Sequence, residues 1–118
     1  MSEPEAKQYL LDSIERCREA LSALDSAGNS ALQAHKKTLE GVIELLDTLK
    51  EKVFFKTKKA VTPAFHVSES SQTVADLADG IADADENSVR EFGDAIGHLK
   101  DNVTTLETLS KTQSVIVT

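Results

Sequence analysis

Residues 30–55 read SALQAHKKTLEGVIELLDTLKEKVFF and contain the longest uninterrupted helical pattern in the chain. Apolar residues recur in this stretch at alternating steps of three and four, which places them in one stripe along one side of an α-helix. Ile43 and Leu45 lie beside the stripe and widen it, so this helix needs neighbours on more than one side. The stripe comprises Leu32, His35, Leu39, Val42, Leu46, Leu49 and Val53. The pattern therefore predicts the central helix of a helical bundle.

Two other stretches, residues 3–26 and 88–111, carry stripes with the same spacing. Only about three to five residues separate the first stretch from the central helix, and so short a link makes consecutive helices antiparallel neighbours. The sequence thus predicts an N-terminal helical hairpin and a third long helix. Gly41 is a poor helix former inside the central helix, which favours a close helix crossing at that position. The two stripes comprise Leu10, Ile14, Cys17, Leu21 and Leu24, and then Val89, Phe92, Ile96, Leu99, Val103 and Leu106.

The helical spacing lapses over residues 56–69. Pro63 has no amide hydrogen and disfavours helical geometry at Thr62, so the sequence predicts a loop over this whole range. A short helix over residues 70–82 is expected to follow. Its apolar side comprises Val74, Leu77, Ala78 and Ile81.

The end of the chain holds two further features. The apolar phase jumps between Ile81 and Val89, which favours a break before the last helix over one continuous helix. Residues 112–118 form a predicted tail in which Val115, Ile116 and Val117 prefer extended structure. Fraying of this tail and its docking on another chain both stay open.

Together these patterns predict an all-α fold, an antiparallel bundle of three long helices plus one short helix, in a single domain over residues 1–118. Stripes with this strict spacing also pair helices of different chains, as coiled coils do. We therefore expect a homodimer or a higher oligomer, and an intertwined form stays open.

The net charge of −7 is distributed unevenly, because residues 1–60 are neutral overall and residues 61–118 carry the whole excess. Phosphate contacts need positive potential, so nucleic acid and membranes are not expected as general partners. The N-terminal residues lack the basic and apolar regions of a secretory signal, and no stretch approaches the roughly 18 apolar residues that cross a bilayer. With a single cysteine in addition, the sequence predicts a cytoplasmic protein.

No motif points to catalysis, because the chain has no Gly-rich phosphate loop, no histidine pair at metal spacing and no nucleophile motif. Neither a cofactor nor a small-molecule substrate is expected. Cys17 occupies a stripe position and is interpreted as a small core residue, with an intermolecular bridge or a reactive thiol as the alternative.

Two acidic groups on the C-terminal side partly resemble metal sites. Asp83, Asp85 and Asn87 match the first ligands of a calcium-binding loop, but Ser88 stands where the loop needs Gly, so ordinary helix-start residues are the preferred interpretation. A second set lies at helical spacings of four and three, which can present one imidazole and two carboxylates on one face. A solvated polar stripe is the preferred interpretation of that set, which comprises Asp94, His98 and Asp101.

His35 lies in the central stripe. It is interpreted as a half-buried histidine with a hydrogen bond inside the bundle. The alternative is a pH-sensitive residue, since an imidazole on an apolar face resists protonation.

Aromatic residues and dense positive charge meet only where the central stretch ends. These side chains could dock an acidic partner, a phosphate backbone or an anionic lipid surface. In the competing interpretation, the two phenylalanines close the bundle end and the lysines solvate it. The candidate binding residues are Phe54, Phe55, Lys56, Lys58 and Lys59, with Lys50 and Lys52 beside them.

We therefore expect a non-enzymatic protein-protein interaction module, such as an adaptor, an assembly subunit or a binding regulator. The alternative is a binder of nucleic acid or anionic membrane that uses the Lys50–Lys59 segment.

Overall fold

The computed structural model of the chain describes residues 5–25 and 30–117, apart from the side chains of Ala82 and of residues 113–117. In these residues every regular element of secondary structure is a helix and no β-strand occurs, which confirms the all-α prediction for the part described. The four α-helices are α1 (Glu5–Leu24), α2 (Ser30–Leu49), α3 (Val61–Ala78) and α4 (Glu86–Val117). Short 3₁₀ turns occupy Val53–Lys56, Lys58–Ala60 and Ile81–Asp83.

The four helices pack around one cluster of buried apolar side chains. Helix α1 packs mainly against α2 and α3, and α4 packs mainly against the same two helices. The stripes predicted from the sequence supply most of this core. Its members from the three long stripes are Leu10, Ile14, Cys17, Leu24, Leu32, Leu39, Val42, Leu46, Leu49, Val89, Phe92, Ile96, Leu99, Val103 and Leu106.

Small side chains line the contact between α1 and α3, the most extensive of the contacts between helices. Short side chains allow two helix axes to approach, because their separation depends on the residues at the contact. Buried hydroxyls there bond to carbonyls of their own helix, as Ser13 Oγ does to Tyr9 O at 2.7 Å. Arg16 links the two helices by donating from Nη1 to Ser68 Oγ at 2.7 Å. The buried small residues are Ala6, Ser13, Cys17 and Ala20 on α1, and Ala64, Ser68, Ser71 and Ala78 on α3.

The predicted end of the central helix is wrong, because α2 ends at Leu49 rather than at residue 55. The chain turns into the 3₁₀ segment Val53–Lys56 and thereby places Phe54 and Phe55 in the core, at 5% and 0% exposure. Val53, which would have continued the stripe, is 69% exposed. Two buried phenylalanine rings remove more apolar area from water than one valine would, which accounts for the early end of the helix.

The predicted loop over residues 56–69 is also wrong, because α3 begins at Val61. Pro63 is the third residue of this helix, in the first turn, where amide groups have no partner within the helix and a missing N–H costs nothing. The proline thus belongs to a helix start. The helix predicted over residues 70–82 begins nine residues earlier and ends at Ala78.

The predicted break before the last helix is confirmed. Gly80 has φ of +75°, a left-handed conformation that favours glycine, and the Ile81–Asp83 turn follows it. Helix α4 begins at Glu86, two residues before the predicted start, because the cap is Asp85, whose Oδ1 accepts a hydrogen bond from the Ser88 amide at 2.9 Å.

The predicted tail over residues 112–118 is wrong for the backbone, since α4 continues to Val117. β-Branched residues lower helix stability only slightly, so they do not by themselves end a helix. The side chains of Val115, Ile116 and Val117 lie outside the described residues, as do residues 1–4, 26–29 and 118, which include the predicted start of the first helix and part of the first link.

With 32 residues, α4 measures about 48 Å at 1.5 Å per residue, close to the longest dimension of the molecule, 49 Å. Among residues 5–25 and 30–117, no helix is both long enough and apolar enough to cross a membrane.

Candidate interaction surfaces

The connection from α2 to α3 carries an exposed group of lysines, which we call the basic end. Lys50 lies at its start but is neutralised locally, because its Nζ lies 2.7 Å from Asp47 Oδ1 and 3.5 Å from Glu51 Oε1. These contacts raise the pKa of Lys50, with the hydrogen bond to Asp47 as the main cause. Among the described residues, the other lysines of the segment form no ion pair. The basic end comprises Lys52, Lys56, Lys58 and Lys59.

The structure separates the five predicted binding residues into two groups. Phe54 and Phe55 are core residues, and their rings meet edge to face at 5.2 Å between centroids. Their rings are therefore not on the surface, in agreement with the interpretation that they close the bundle end. Lys56, Lys58 and Lys59 are exposed. Val53 is an apolar residue that is also exposed, although the stripe pattern assigns it to the core.

The connection from α3 to α4 carries the opposite charge and is here called the acidic end. Helix α3 has 18 residues and thus holds the two connections about 27 Å apart. No lysine or arginine occurs between residues 76 and 86. The exposed carboxylates of the acidic end are those of Asp76, Asp79, Asp83, Asp85 and Glu86.

Asp85 shows what the calcium-like pattern does in this fold. Its carboxylate caps α4, and the hydrogen bond from the Ser88 amide holds the pKa of Asp85 below its usual value. Nowhere in the described chain do three His, Cys, Asp or Glu side chains converge in a way that could hold a metal ion. Of the three residues in this pattern, Asp85 caps α4, Asn87 lies in the first turn of α4, and Asp83 lies in the preceding 3₁₀ turn.

The three residues of the second set of metal candidates do not all line the same groove. His98 lines a groove of about 430 Å³ between α3 and α4 together with His66, while Asp94 and Asp101 do not line it, and all four of these residues are exposed. Within the groove, Asn102 Nδ2 donates to Ser70 Oγ at 2.6 Å. The presence of His66 and His98 in one groove had no signal in the sequence, because it depends on how α3 packs against α4.

His35 is half-buried between α2 and α4. Its ring meets Phe92 edge to face at 6.0 Å between centroids. On the other side lies Gly93, where a Cβ atom would come within 2.8 Å of His35 Nε2. The close approach expected at Gly41 is therefore wrong, since a Cβ on Gly41 would meet nothing within 4 Å. Gly93 provides the close approach instead, and the predicted pH sensitivity of His35 stays a prediction.

Cys17 is fully buried in α1, as the core interpretation expected. Burial raises the pKa of its thiol to about 12, so the reactive thiolate is scarce at neutral pH.

Comparison of the chain with protein-family models, with curated proteins and with solved structures gave no significant match.

Proposed function

We propose that the chain is a non-enzymatic interaction module whose basic end binds an acidic protein surface. The observation that carries this proposal is the position of four exposed lysines on one connection, without an ion pair among the described residues. Val53 adds an exposed apolar side chain at the same place. Positive charge around a small apolar side chain suits a protein partner. At such an interface, complementary charge raises the rate of association and the burial of apolar area adds affinity.

The partner that the chain itself supplies is the acidic end of a second copy. Because the basic end and the acidic end lie at opposite ends of α3, such a contact joins unlike surfaces, and the joined pair still has one free end of each charge sign. Repeated contacts of this kind form rings or open filaments. Most residues of the three long stripes are already buried within one chain, so we propose association of folded chains rather than an exchange of helices.

We also propose the finer arrangement of the bundle, in which α1 runs antiparallel to α2 and α3 runs antiparallel to α4. The ion pair from Lys36 Nζ to Asp25 Oδ1, at 2.9 Å, joins the end of α1 to the first half of α2. The hydrogen bond from Asn102 to Ser70 joins the middle of α3 to the second half of α4. Short connections between consecutive helices support the same directions.

Nucleic acid and anionic membranes are the second candidate class for the basic end. Both would gain from aromatic side chains that stack on bases or enter the lipid interface. Phe54 and Phe55 are buried, which removes this contribution, and the overall charge of −7 opposes approach to phosphates. We therefore favour the protein partner.

The test is self-association measured by sedimentation velocity at low and high salt. The parent should associate at low salt and dissociate at high salt, because exposed charge pairs are screened. Lys58→Glu/Lys59→Glu should abolish association, and so should Asp79→Lys/Asp83→Lys. Mixing the two variants should restore it, since each then meets an end of opposite charge. The matched control is Lys37→Glu/Lys100→Glu, which makes the same change in net charge at exposed residues in the middle of α2 and α4, away from both ends.

A parent that is monomeric at low salt, or variants that associate as the parent does, would exclude self-association. Gel shift with DNA and RNA, together with flotation of phosphatidylserine vesicles, tests the second class. Binding there that Lys58→Glu/Lys59→Glu abolishes would replace the protein partner by an anionic polymer or membrane.

A further inference from the structure

A second groove lies between α2 and α4, away from both charged ends. Its volume is about 320 Å³, at the lower end of the range of small-molecule sites. The lining comes from two turns of α2 and one turn of α4. It comprises Lys37, Thr38, Gly41, Val42, Leu45, Lys100, Val103 and Thr104.

The groove is lined by aliphatic side chains and by two exposed lysines. Val42, Leu45 and Val103 supply aliphatic side chains. The hydroxyls of the two threonines are engaged within their own helices, from Thr38 Oγ1 to Ala34 O at 3.3 Å and from Thr104 Oγ1 to Lys100 O at 2.9 Å. The free hydrogen-bond donors that remain are therefore the ammonium groups.

Lys37 and Lys100 stand on opposite helices at the two sides of the groove, and both are exposed. Within the described residues neither forms an ion pair, and no carboxylate belongs to the lining. Two cations beside an apolar floor complement a ligand that is itself apolar with one anionic group.

Gly41 keeps the groove open. It lies inside α2, where glycine is less favourable than alanine, and a side chain there would enter free space. Any larger residue at this position would occupy the volume that a ligand needs.

We propose that this groove binds an aliphatic chain that ends in a carboxylate. The chain lies on Val42, Leu45 and Val103, and the carboxylate accepts hydrogen bonds from Lys37 and Lys100. A helical peptide fits less well, because a helix with its side chains is about 10 to 12 Å wide and a single turn of it already occupies more than the groove volume of about 320 Å³. This site is independent of the proposed function, since it shares no residue with the basic end or the acidic end.

The experiment is titration of the full chain with dodecanoate below its micelle concentration, followed by amide chemical shifts in ¹⁵N NMR. Shifts should concentrate on the residues of the groove. Butanoate, which has the charge without the long chain, and dodecyltrimethylammonium, which has the chain with the opposite charge, should bind at least about tenfold more weakly, since charged hydrogen bonds and apolar burial each contribute.

Two variants locate the site. Gly41→Leu fills the groove and should abolish dodecanoate binding, while the matched control Gln72→Leu places the same exposed side chain on α3 and should bind as the parent does. Lys37→Gln/Lys100→Gln keeps the groove open and should weaken binding by about tenfold or more.

Equal binding of dodecanoate and dodecyltrimethylammonium would overturn the proposal, as would full binding by Gly41→Leu. Shifts confined to residues outside the groove would also overturn it. Circular dichroism establishes that each variant folds, and the lysine variant decides the question if Gly41→Leu does not fold.

Discussion

The imidazole of His35 occupies the space that a side chain on Gly93 would need, with Nε2 at 2.8 Å and Cε1 at 2.9 Å from the added Cβ. Replacing an exposed helical glycine by alanine normally stabilises a helix by about 1 kcal/mol. Gly93→Ala should lose this gain, because the His35 ring has to move away from its contact with Phe92. Chemical denaturation of the variant measures the difference.

Gly97 is the control, because it lies in the same helix and a Cβ there would meet nothing within 4 Å. Gly97→Ala should show the gain of about 1 kcal/mol. In a His35→Ala background, Gly93→Ala should recover it as well. Equal stabilisation by Gly93→Ala and Gly97→Ala in the parent would show that the position of the His35 ring does not require a glycine at residue 93.

The lowered pKa of Asp85 predicts that the stability of the protein depends on pH through the start of α4. Its pKa is lowered in the folded state by the hydrogen bond from Ser88, so the charged form is favoured by folding. The resulting stability is present above the usual aspartate pKa of about 3.9 and is lost as the pH falls through the lowered value. Asp85→Ala should therefore lower the thermal midpoint by several degrees at pH 7, and the difference from the parent should shrink below pH of about 4.

Asp83→Ala serves as the control for that experiment, because Asp83 is exposed in the adjacent turn and caps no helix. Its thermal midpoint should stay near that of the parent at both pH values. A difference for Asp85→Ala that stays constant from pH 7 to pH 2 would mean that the carboxylate charge does not contribute.

At the scale of the helix, the packing of the long stripes depends on residues that are fully buried. Leu46 and Leu99 are both 0% exposed. Leu46→Asp or Leu99→Asp places a carboxylate in the core at a cost of several kcal/mol, against a total stability of about 5 to 15 kcal/mol. Either variant should unfold the protein or leave it close to unfolding, as followed by circular dichroism.

Glu44→Ala and Asp101→Ala are the matched surface changes, since both residues are exposed on the same two helices. Each should change stability by less than about 0.5 kcal/mol. If Leu99→Asp melted at the temperature of the parent, the packing of α4 against the core would be wrong.

The contact between α1 and α3 is sensitive to larger side chains, because small residues fill it. Ser71 is 0% exposed and its Oγ donates to Ser68 O at 2.7 Å. Ser71→Leu should destabilise the protein by about 1 to 3 kcal/mol through overpacking. Gln72→Leu, one residue away on the exposed side, should have little effect in the same denaturation experiment.

This contact also explains where prediction from the sequence failed. The long stripes of α1, α2 and α4 consist of large aliphatic residues, whose spacing identifies a helix directly. Helix α3 is buried through Val67 and Val74 and otherwise mainly through small residues such as Ala64 and Ser71, which carry little hydrophobic signal, so no stripe outweighs the preference of Pro63 for a loop in the first half of the helix.

The candidate surfaces were predictable only in part, for a related reason. The lysines of the basic end stand together in the sequence and were found there. Whether Phe54, Phe55 or Val53 points outward depends on where α2 ends, which competition among apolar side chains for the core decides. Grooves between helices require knowledge of which helices are neighbours, so the grooves at His98 and Lys100 had no sequence signal.

At the scale of the whole molecule, the separation of charge predicts the shape of the assembly. The molecule measures 49 × 27 × 18 Å. Two copies joined through opposite ends should have a maximum dimension well above 49 Å, because the two ends of one copy are already about 27 Å apart, whereas a side-by-side pair should remain near the length of one copy. Small-angle X-ray scattering at low salt distinguishes the two forms, and a compact dimer would contradict contact through the ends.

The burial of Cys17 has a practical consequence for following the motions of this protein. Because the thiol is the only one in the chain and lies in the core, a disulfide reagent can reach it only after α1 separates from its neighbours. The rate of modification in native buffer then reports how often that separation occurs, provided that reclosing is faster than the reaction. The native sequence thus contains a single internal probe of its own opening, without any introduced label.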